Sequence, residues 1–282
     1  ERLVTGSEMA YLLKLIILTK ESGLYDLTGS KIFTTSQLSK YSMDTSAIFS
    51  NHFERLEANK ILSMEKGCQF RMIYSHRPDM IIENQNASEF RIGLGKKLAA
   101  ETTQDYGPES IVIPVPESGI FSATGFADHS VLPLYFGIIR DYQTSRTLAH
   151  GISALERFEK LSRKLITIPS VIHGKDVFLV DEAVLSGSTL SIAIKQVKEA
   201  GAKSISVRIP SPPIIKHCPI HIVPKVDLSY SHGERLCEYE ARLSKKFGVN
   251  SFKFLSPLGY QECISKGLSD KCTECFYADK TC

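Results

Sequence analysis

One short stretch concentrates the residue types that could do chemistry: Asp181-Glu182-Ala183-Val184-Leu185-Ser186-Gly187-Ser188-Thr189. It follows a β-branched apolar run, Asp176–Val180, and leads into helical spacing over Thr189–Ala200. Two acids at the end of a buried strand suit the vicinal hydroxyls of a ribose, directly or through a divalent cation. Gly187 lets the backbone approach a ligand closely. The N–H groups of Ser186–Thr189, with their hydroxyls, form an anion cradle at a helix N-terminus. The pattern points to a ribose-phosphate ligand. The plainer alternative is an ordinary strand–loop–helix with a capped start.

Cysteine is the second candidate chemistry. The chain of 282 residues holds seven, including the tight pair Cys272-x-x-Cys275. The most apolar run, Met9–Thr19, is too short to cross a bilayer and is interrupted by Lys14, so it reads as a core helix in a cytoplasmic protein without signal peptide or membrane span. Disulfides are uncommon in reducing compartments, so the pair points towards metal or cluster ligation, with buried thiols as the alternative for some of the seven. The net charge of +3 fits an anionic ligand without announcing nucleic acid.

The hydrophobic pattern changes near residue 70. Before it, helical spacing runs from Ser7 to about Ser22, Thr34 and Thr35 cap a short helix to about Tyr41, and Asp44 or Thr45 caps a third over Ser46–Asn59. Lys60–Met64 and Cys68–Ile73 read as two strands around the turn Glu65-Lys66-Gly67. That order resembles a winged helix-turn-helix over residues 1–74. The third helix and the wing would offer Thr45, Ser46, Ser50, Asn51, Arg55 and Lys66 to double-stranded DNA, and paired half-sites would imply a homodimer. Against DNA, residues 1–76 hold nine Lys/Arg against eight Asp/Glu, so the segment is not basic. A winged helix used for dimerisation or protein contact is the alternative.

Residues 75–282 alternate between helical and β-branched patterns. Helices are expected at Glu89–Glu101, Ser122–His129 and Thr189–Ala200, and strands at Ser110–Val115, Leu132–Ile139, Asp176–Val180 and Ser204–Ile209. This is the signature of an α/β domain with a mostly parallel sheet, helices on both faces, and ligands at the carboxyl ends of the strands. "DVFLVDEAVLSGSTL" resembles the phosphoribosyl pyrophosphate (PRPP) motif of type I phosphoribosyltransferases. More particularly, Cys68–Phe276 resembles the synthetase domain of glutamine phosphoribosylpyrophosphate amidotransferases, through "RPD", "GKKLAAE", "IPVPESGI", "EAGAKSISVRIPSPPIIKHC" and "SFKFLSPLGY".

The resemblance implies a type I phosphoribosyltransferase fold and a set of ligand contacts. Glu117-Ser118-Gly119 would form the pyrophosphate loop. Asp181 and Glu182 would face the ribose hydroxyls and Mg²⁺, Ala183, Val184 and Leu185 would complete the loop, and Ser186, Gly187, Ser188 and Thr189 would hold the 5′-phosphate. Arg140–Lys164 would be the flexible catalytic loop, with Arg146 and Lys164 among the contacts. It also implies a [4Fe–4S] cluster on Cys68, Cys218, Cys272 and Cys275, for which the spacing alone would equally permit zinc.

Several positions depart from the family. A winged helix is expected where the enzymes carry a glutaminase domain, so no ammonia source is built in. Glu182 stands where Asp is usual, Ser186 where Arg is usual, and the loop opens "RDYQTSRT" (Arg140–Thr147) in place of "KNRYVGRT". These departures suggest a transcriptional regulator whose phosphoribosyltransferase-like domain senses PRPP or a nucleotide. Two alternatives stand beside it: an active ammonia- or base-dependent phosphoribosyltransferase, and an iron–sulfur redox-sensing regulator.

Overall fold

The computed structural model describes residues 68–103, 106–141, 164–216 and 234–276. All of them lie in the second of two compact units, Ala58–Cys282. The chain order is α1 (Gln69–Tyr74), β1 (Ile81–Ile82), β2 (Gln85–Asn86), α2 (Ala87–Ala100), β3 (Ser110–Pro114), α3 (Ile120–Ser130), β4 (Ile138–Arg140), β5 (Leu165–Thr167), α4 (Pro169–Ile172), β6 (Asp176–Val180), α5 (Ser188–Glu199), β7 (Ser204–Ile209), α6 (Leu236–Phe247), β8 (Ser251–Phe254) and α7 (Pro257–Glu262).

The main sheet is parallel, in the order β3-β6-β7-β8. Parallel strands need covering on both faces, and the sequences of β3 and β6 supply the unbroken apolar runs this demands. Alternate side chains divide between two cores. Ile111, Ile113, Val177, Leu179, Val207 and Phe252 pack against Leu190, Ile194 and Val197 of α5 and Tyr239 and Leu243 of α6. Val112, Phe178 and Val180 pack against Phe70 of α1, Phe90 and Leu94 of α2, Phe126 of α3 and Tyr260 of α7. Burying one such side chain contributes roughly 1.5–3 kcal/mol. Between α2 and α3 the backbones nearly touch, because Gly95 and Gly125 carry no Cβ: one built there would lie 2.0 Å from Ser122 O or 1.9 Å from Ile92 O.

Two expected strands are corrected. Cys68–Ile73 is not extended, since Gln69–Tyr74 is helical with Gln69, Phe70, Met72 and Ile73 buried, a helical rather than an alternating spacing. The expected strand Leu132–Ile139 is split. Leu134 bridges to Val112 at the sheet edge, after which Ile138–Arg140 leaves to form an antiparallel ribbon with β5. The winged helix-turn-helix of residues 1–74 lies outside the described residues up to residue 67, and the second strand of its wing is the helix α1. No helix among the described residues is long and apolar enough to cross a membrane.

Candidate functional site

The site forms at the carboxyl ends of β3 and β6, which pair from Ser110↔Asp176 to Pro114↔Val180. The pairing continues one residue further, since Val115 N donates to Val180 O at 2.8 Å. Beyond it the chain after β3 turns through Glu117-Ser118-Gly119 into α3, and the chain after β6 turns through Asp181–Gly187 into α5. The peptide Pro116–Glu117 is cis.

Gly119 makes the two turns adjacent. Its backbone lies so close to β6 that an added Cβ would sit 2.4 Å from Val180 O and 2.9 Å from Val115 O. Ser118 Oγ consequently reaches Asp181 Oδ1 at 3.3 Å, which also accepts Glu182 N at 3.0 Å. Asp181 and Glu182 are both buried, at 6% and 3% exposure. Burial, then the charge and hydrogen bond of Glu182, raise the Asp181 pKa well above the usual carboxylate range. Buried paired carboxylates are costly without a cation or donors. Glu182 Oε2 has no hydrogen-bond partner.

Five residues on, Gly187 adopts the left-handed conformation (φ 74°, ψ 4°) and serves as the N-cap of α5. That conformation favours glycine, and it turns the first N–H groups of α5 outward. Ser188 N donates to Ser186 Oγ at 3.3 Å, and the two hydroxyls lie 3.1 Å apart. Ser186, Ser188 and Thr189 are exposed, whereas Ala183 and Val184 are buried and help seat the loop on the two cores. The loop is therefore an open, donor-rich cradle beside a buried acidic pair. Hard oxygen donors with one carboxylate oxygen unsatisfied fit a divalent cation such as Mg²⁺.

At the rim, Arg140 ends β4 and its Nη1 lies 3.4 Å from Glu117 Oε2. Lys164 stands opposite, its carbonyl accepting Asp141 N at 2.8 Å, so the ribbon extends to the base of the loop between them. Arg146 lies outside the described residues, as do Thr45, Ser46, Ser50, Asn51, Arg55, Lys66 and Cys218.

The family profile "Phosphoribosyl transferase domain" matches residues 82–209. These residues are a phosphoribosyltransferase domain. The architecture is the type I phosphoribosyltransferase fold, with which a PRPP site is consistent. An amidophosphoribosyltransferase of Methanocaldococcus jannaschii is 34% identical over 210 residues, 74% of this chain and 42% of that protein. The Synechocystis protein of the same name is 28% identical over 260 residues, 92% of this chain and 50% of its own length. Among solved structures, glutamine PRPP amidotransferase from Bacillus subtilis, complexed with ADP and GMP, superposes with a TM-score of 0.62 at 28% identity over 74% of this chain and 45% of that one. The chain thus spans half or less of the length of these relatives.

These findings correct the regulator. Relatives named as amidophosphoribosyltransferases align over 92% of the chain, which carries the match well into the first 67 residues. A DNA-binding transcription factor and its iron–sulfur cluster have no support in any of them. Cys68 and Cys272 are joined by a backbone bridge, with Gln69 N donating to Cys272 O at 3.1 Å. Cys275 is buried. Among the described residues no three His, Cys, Asp or Glu side chains converge to hold a metal ion.

Sequence reasoning missed the burial of Arg91, which is 4% exposed and donates to Met72 O and His76 O at the end of α1, whereas within a helix it reads as one more exposed cation. The only available signal was its position on the apolar stripe of Ala87, Phe90, Leu94 and Leu98.

Proposed function

We propose that this domain binds PRPP with Mg²⁺ and transfers its phosphoribosyl group to a nitrogen nucleophile, releasing pyrophosphate. Ammonia is the nucleophile that the names of the relatives favour, and a purine or pyrimidine base is the alternative acceptor class. The observation that carries the reading is the junction at Gly119, which brings the Glu117–Gly119 turn within hydrogen-bond reach of Asp181.

In this reading each turn holds one part of the ligand. The 5′-phosphate is received by the N–H groups and hydroxyls of Ser186–Thr189, where the positive end of α5 favours an anion. Asp181 takes the ribose hydroxyls, while Glu117, Ser118 and Gly119 take the pyrophosphate. Mg²⁺, held by Asp181 and Glu182 with the ligand's own oxygens, would neutralise charge on the departing pyrophosphate. As the bond between ribose and pyrophosphate breaks, positive charge builds on the ribose, and the acidic pair stands beside it. Arg140, at the loop base, supplies a cation next to Glu117 as pyrophosphate accumulates charge. Arg146 and Lys164 belong to the same proposal as loop contacts. So does the division into residues 1–74 and 75–282. A homodimer is the expected assembly, to be measured by sedimentation equilibrium.

The test is pyrophosphate release from PRPP in Mg²⁺, by a coupled phosphate assay, with ammonium chloride or a panel of bases as acceptor. Acceptor-dependent release supports the reading and identifies the acceptor. Calorimetry with PRPP and Mg²⁺ that registers no binding would refute it.

A further inference from the structure

We propose that Cys68 and Cys272 are the two halves of a reversible disulfide that staples the start of α1 to the C-terminal segment, a redox device independent of the PRPP-binding reading. The backbone register carries it. Cys68 and Cys272 stand opposite each other in an isolated parallel bridge. Neighbouring strands lie about 4.7–4.9 Å apart, and residues in register on parallel strands project to the same face. A disulfide joins Cα atoms roughly 4.4–6.8 Å apart, so the bridge holds the two cysteines inside that window. Both are thiols and both are partly exposed, within reach of a dissolved oxidant.

Gln69 keeps the pair aligned. Its N–H donates to Cys272 O at 3.1 Å, and its buried side chain donates from Nε2 to Leu268 O at 2.8 Å. One residue on, the Phe70 ring meets Phe276 edge-on with centroids 6.5 Å apart. Gln69 and Leu268 are 199 residues apart in the chain, yet the two segments are docked on either side of the thiols before any bond forms.

The other thiols described are less suited. Cys275 is buried, and its carbonyl accepts Ile215 N at 2.9 Å beside a different bridge, that of Ile214 with Phe276. Cys263 Sγ donates to Gly93 O at 3.8 Å, and burial pushes its thiol up to about 11, leaving little of the thiolate that exchange requires.

The step is thiol–disulfide exchange with a small disulfide such as oxidised glutathione. One protein thiolate attacks a glutathione sulfur and expels a glutathione thiolate, leaving a mixed disulfide. The second thiolate attacks the protein-side sulfur of that bond and expels the other glutathione. The two cysteines lose two electrons and two protons, and one glutathione disulfide becomes two thiols. In a reducing compartment the bond is therefore conditional, closed under oxidant and reopened by reduced glutathione. Because it closes a loop containing nearly the whole domain, it removes conformational freedom from the unfolded chain and raises stability.

The experiment treats the whole chain with excess oxidised glutathione or with dithiothreitol, maps disulfides by peptide mass spectrometry without reduction, and records thermal melts of both forms. We expect a linked Cys68–Cys272 peptide in the oxidised sample only, with a Tm at least about 5 °C above that of the reduced protein. Cys68→Ser and Cys272→Ser should each abolish the shift, whereas Cys263→Ser should keep it. Absence of the linked peptide, a Cys272–Cys275 bond in its place, or a Tm that is unchanged or lower on oxidation would overturn the proposal. Should either serine variant fail to fold, the oxidised and reduced wild type decide by themselves. PRPP plays no part in the test, so its outcome and that of the functional reading stay separate.

Discussion

Substituting Gly119 by Ala tests the junction on which the site depends. The backbone φ of −72° is open to any residue, so the penalty is one of space rather than conformation. The new Cβ would lie 2.4 Å from Val180 O, 2.9 Å from Val115 O and 3.2 Å from Asp181 Cα, all backbone atoms held by the β3–β6 pairing. Reaching ordinary contact at 3.4 Å requires the turn and the end of β6 to separate by roughly 1 Å. Overpacking of this kind costs about 1–3 kcal/mol, which for a domain of this size lowers Tm by roughly 2–12 °C. The catalytic effect is expected to be larger, because a misplacement of about 1 Å at a reacting centre costs on the order of 100-fold in rate. Pyrophosphate release and a thermal melt measure the two effects. Gly93→Ala is the control: it lies in the same domain with nothing within 4 Å of the added Cβ, and should raise stability by up to about 1 kcal/mol with unchanged activity. A Gly119→Ala protein with wild-type Tm and activity within twofold would refute the reasoning.

Other perturbations separate binding from stability. Asp181→Asn should reduce pyrophosphate release by about 100-fold or more and yet raise the Tm of the ligand-free protein at neutral pH. The sign follows from the raised pKa: stability is fully present below the unfolded carboxylate value and is lost as pH rises through the folded one, so the advantage of Asn should vanish on acidification. Arg140→Ala should leave Tm within about 1 °C, because an exposed ion pair contributes at most about 1 kcal/mol, but should lower the rate; an unchanged rate would remove Arg140 from the site. Burial pushes the Cys263 thiol up to about 11. Its lost thiolate outweighs the gain in nucleophilicity, so alkylation at pH 8, followed by peptide mass spectrometry, should run roughly tenfold slower than for an ordinary thiol.

How much was legible in the sequence depends on how local each signal was. β6 and β7 were placed to the residue, because a buried parallel strand is a continuous apolar run with clear ends. The cradle was legible for the same reason: Gly187, the serines and the helix start are neighbours in the chain. β8 was not anticipated, since Ser251-Phe252-Lys253-Phe254 alternates like an exposed edge and owes its place to pairing with β7, over forty residues away. The helix α1 was misread as a strand because its six residues are too few to establish a period; packing against α2 decides its conformation. The proximity of Ser118 to Asp181, 63 residues apart, is a property of the sheet and could enter only through the family resemblance.

The departures from the family motif at Ser186 and Arg140 come with new contacts. Ser186 replaces a guanidinium, but its hydroxyl accepts Ser188 N and so keeps the cradle's N-terminal turn in shape. Arg140 replaces a lysine and still places a cation 3.4 Å from Glu117. Glu182 is one methylene longer than the usual Asp and is accommodated buried, its N–H donating to Asp181 Oδ1 at 3.0 Å. At Ser186 and Arg140 the side chain present makes a contact of its own, within the turn or across the rim. A departure from a motif therefore weakens a chemical reading most where the new side chain is left without a contact, and at Ser186 and Arg140 it is not.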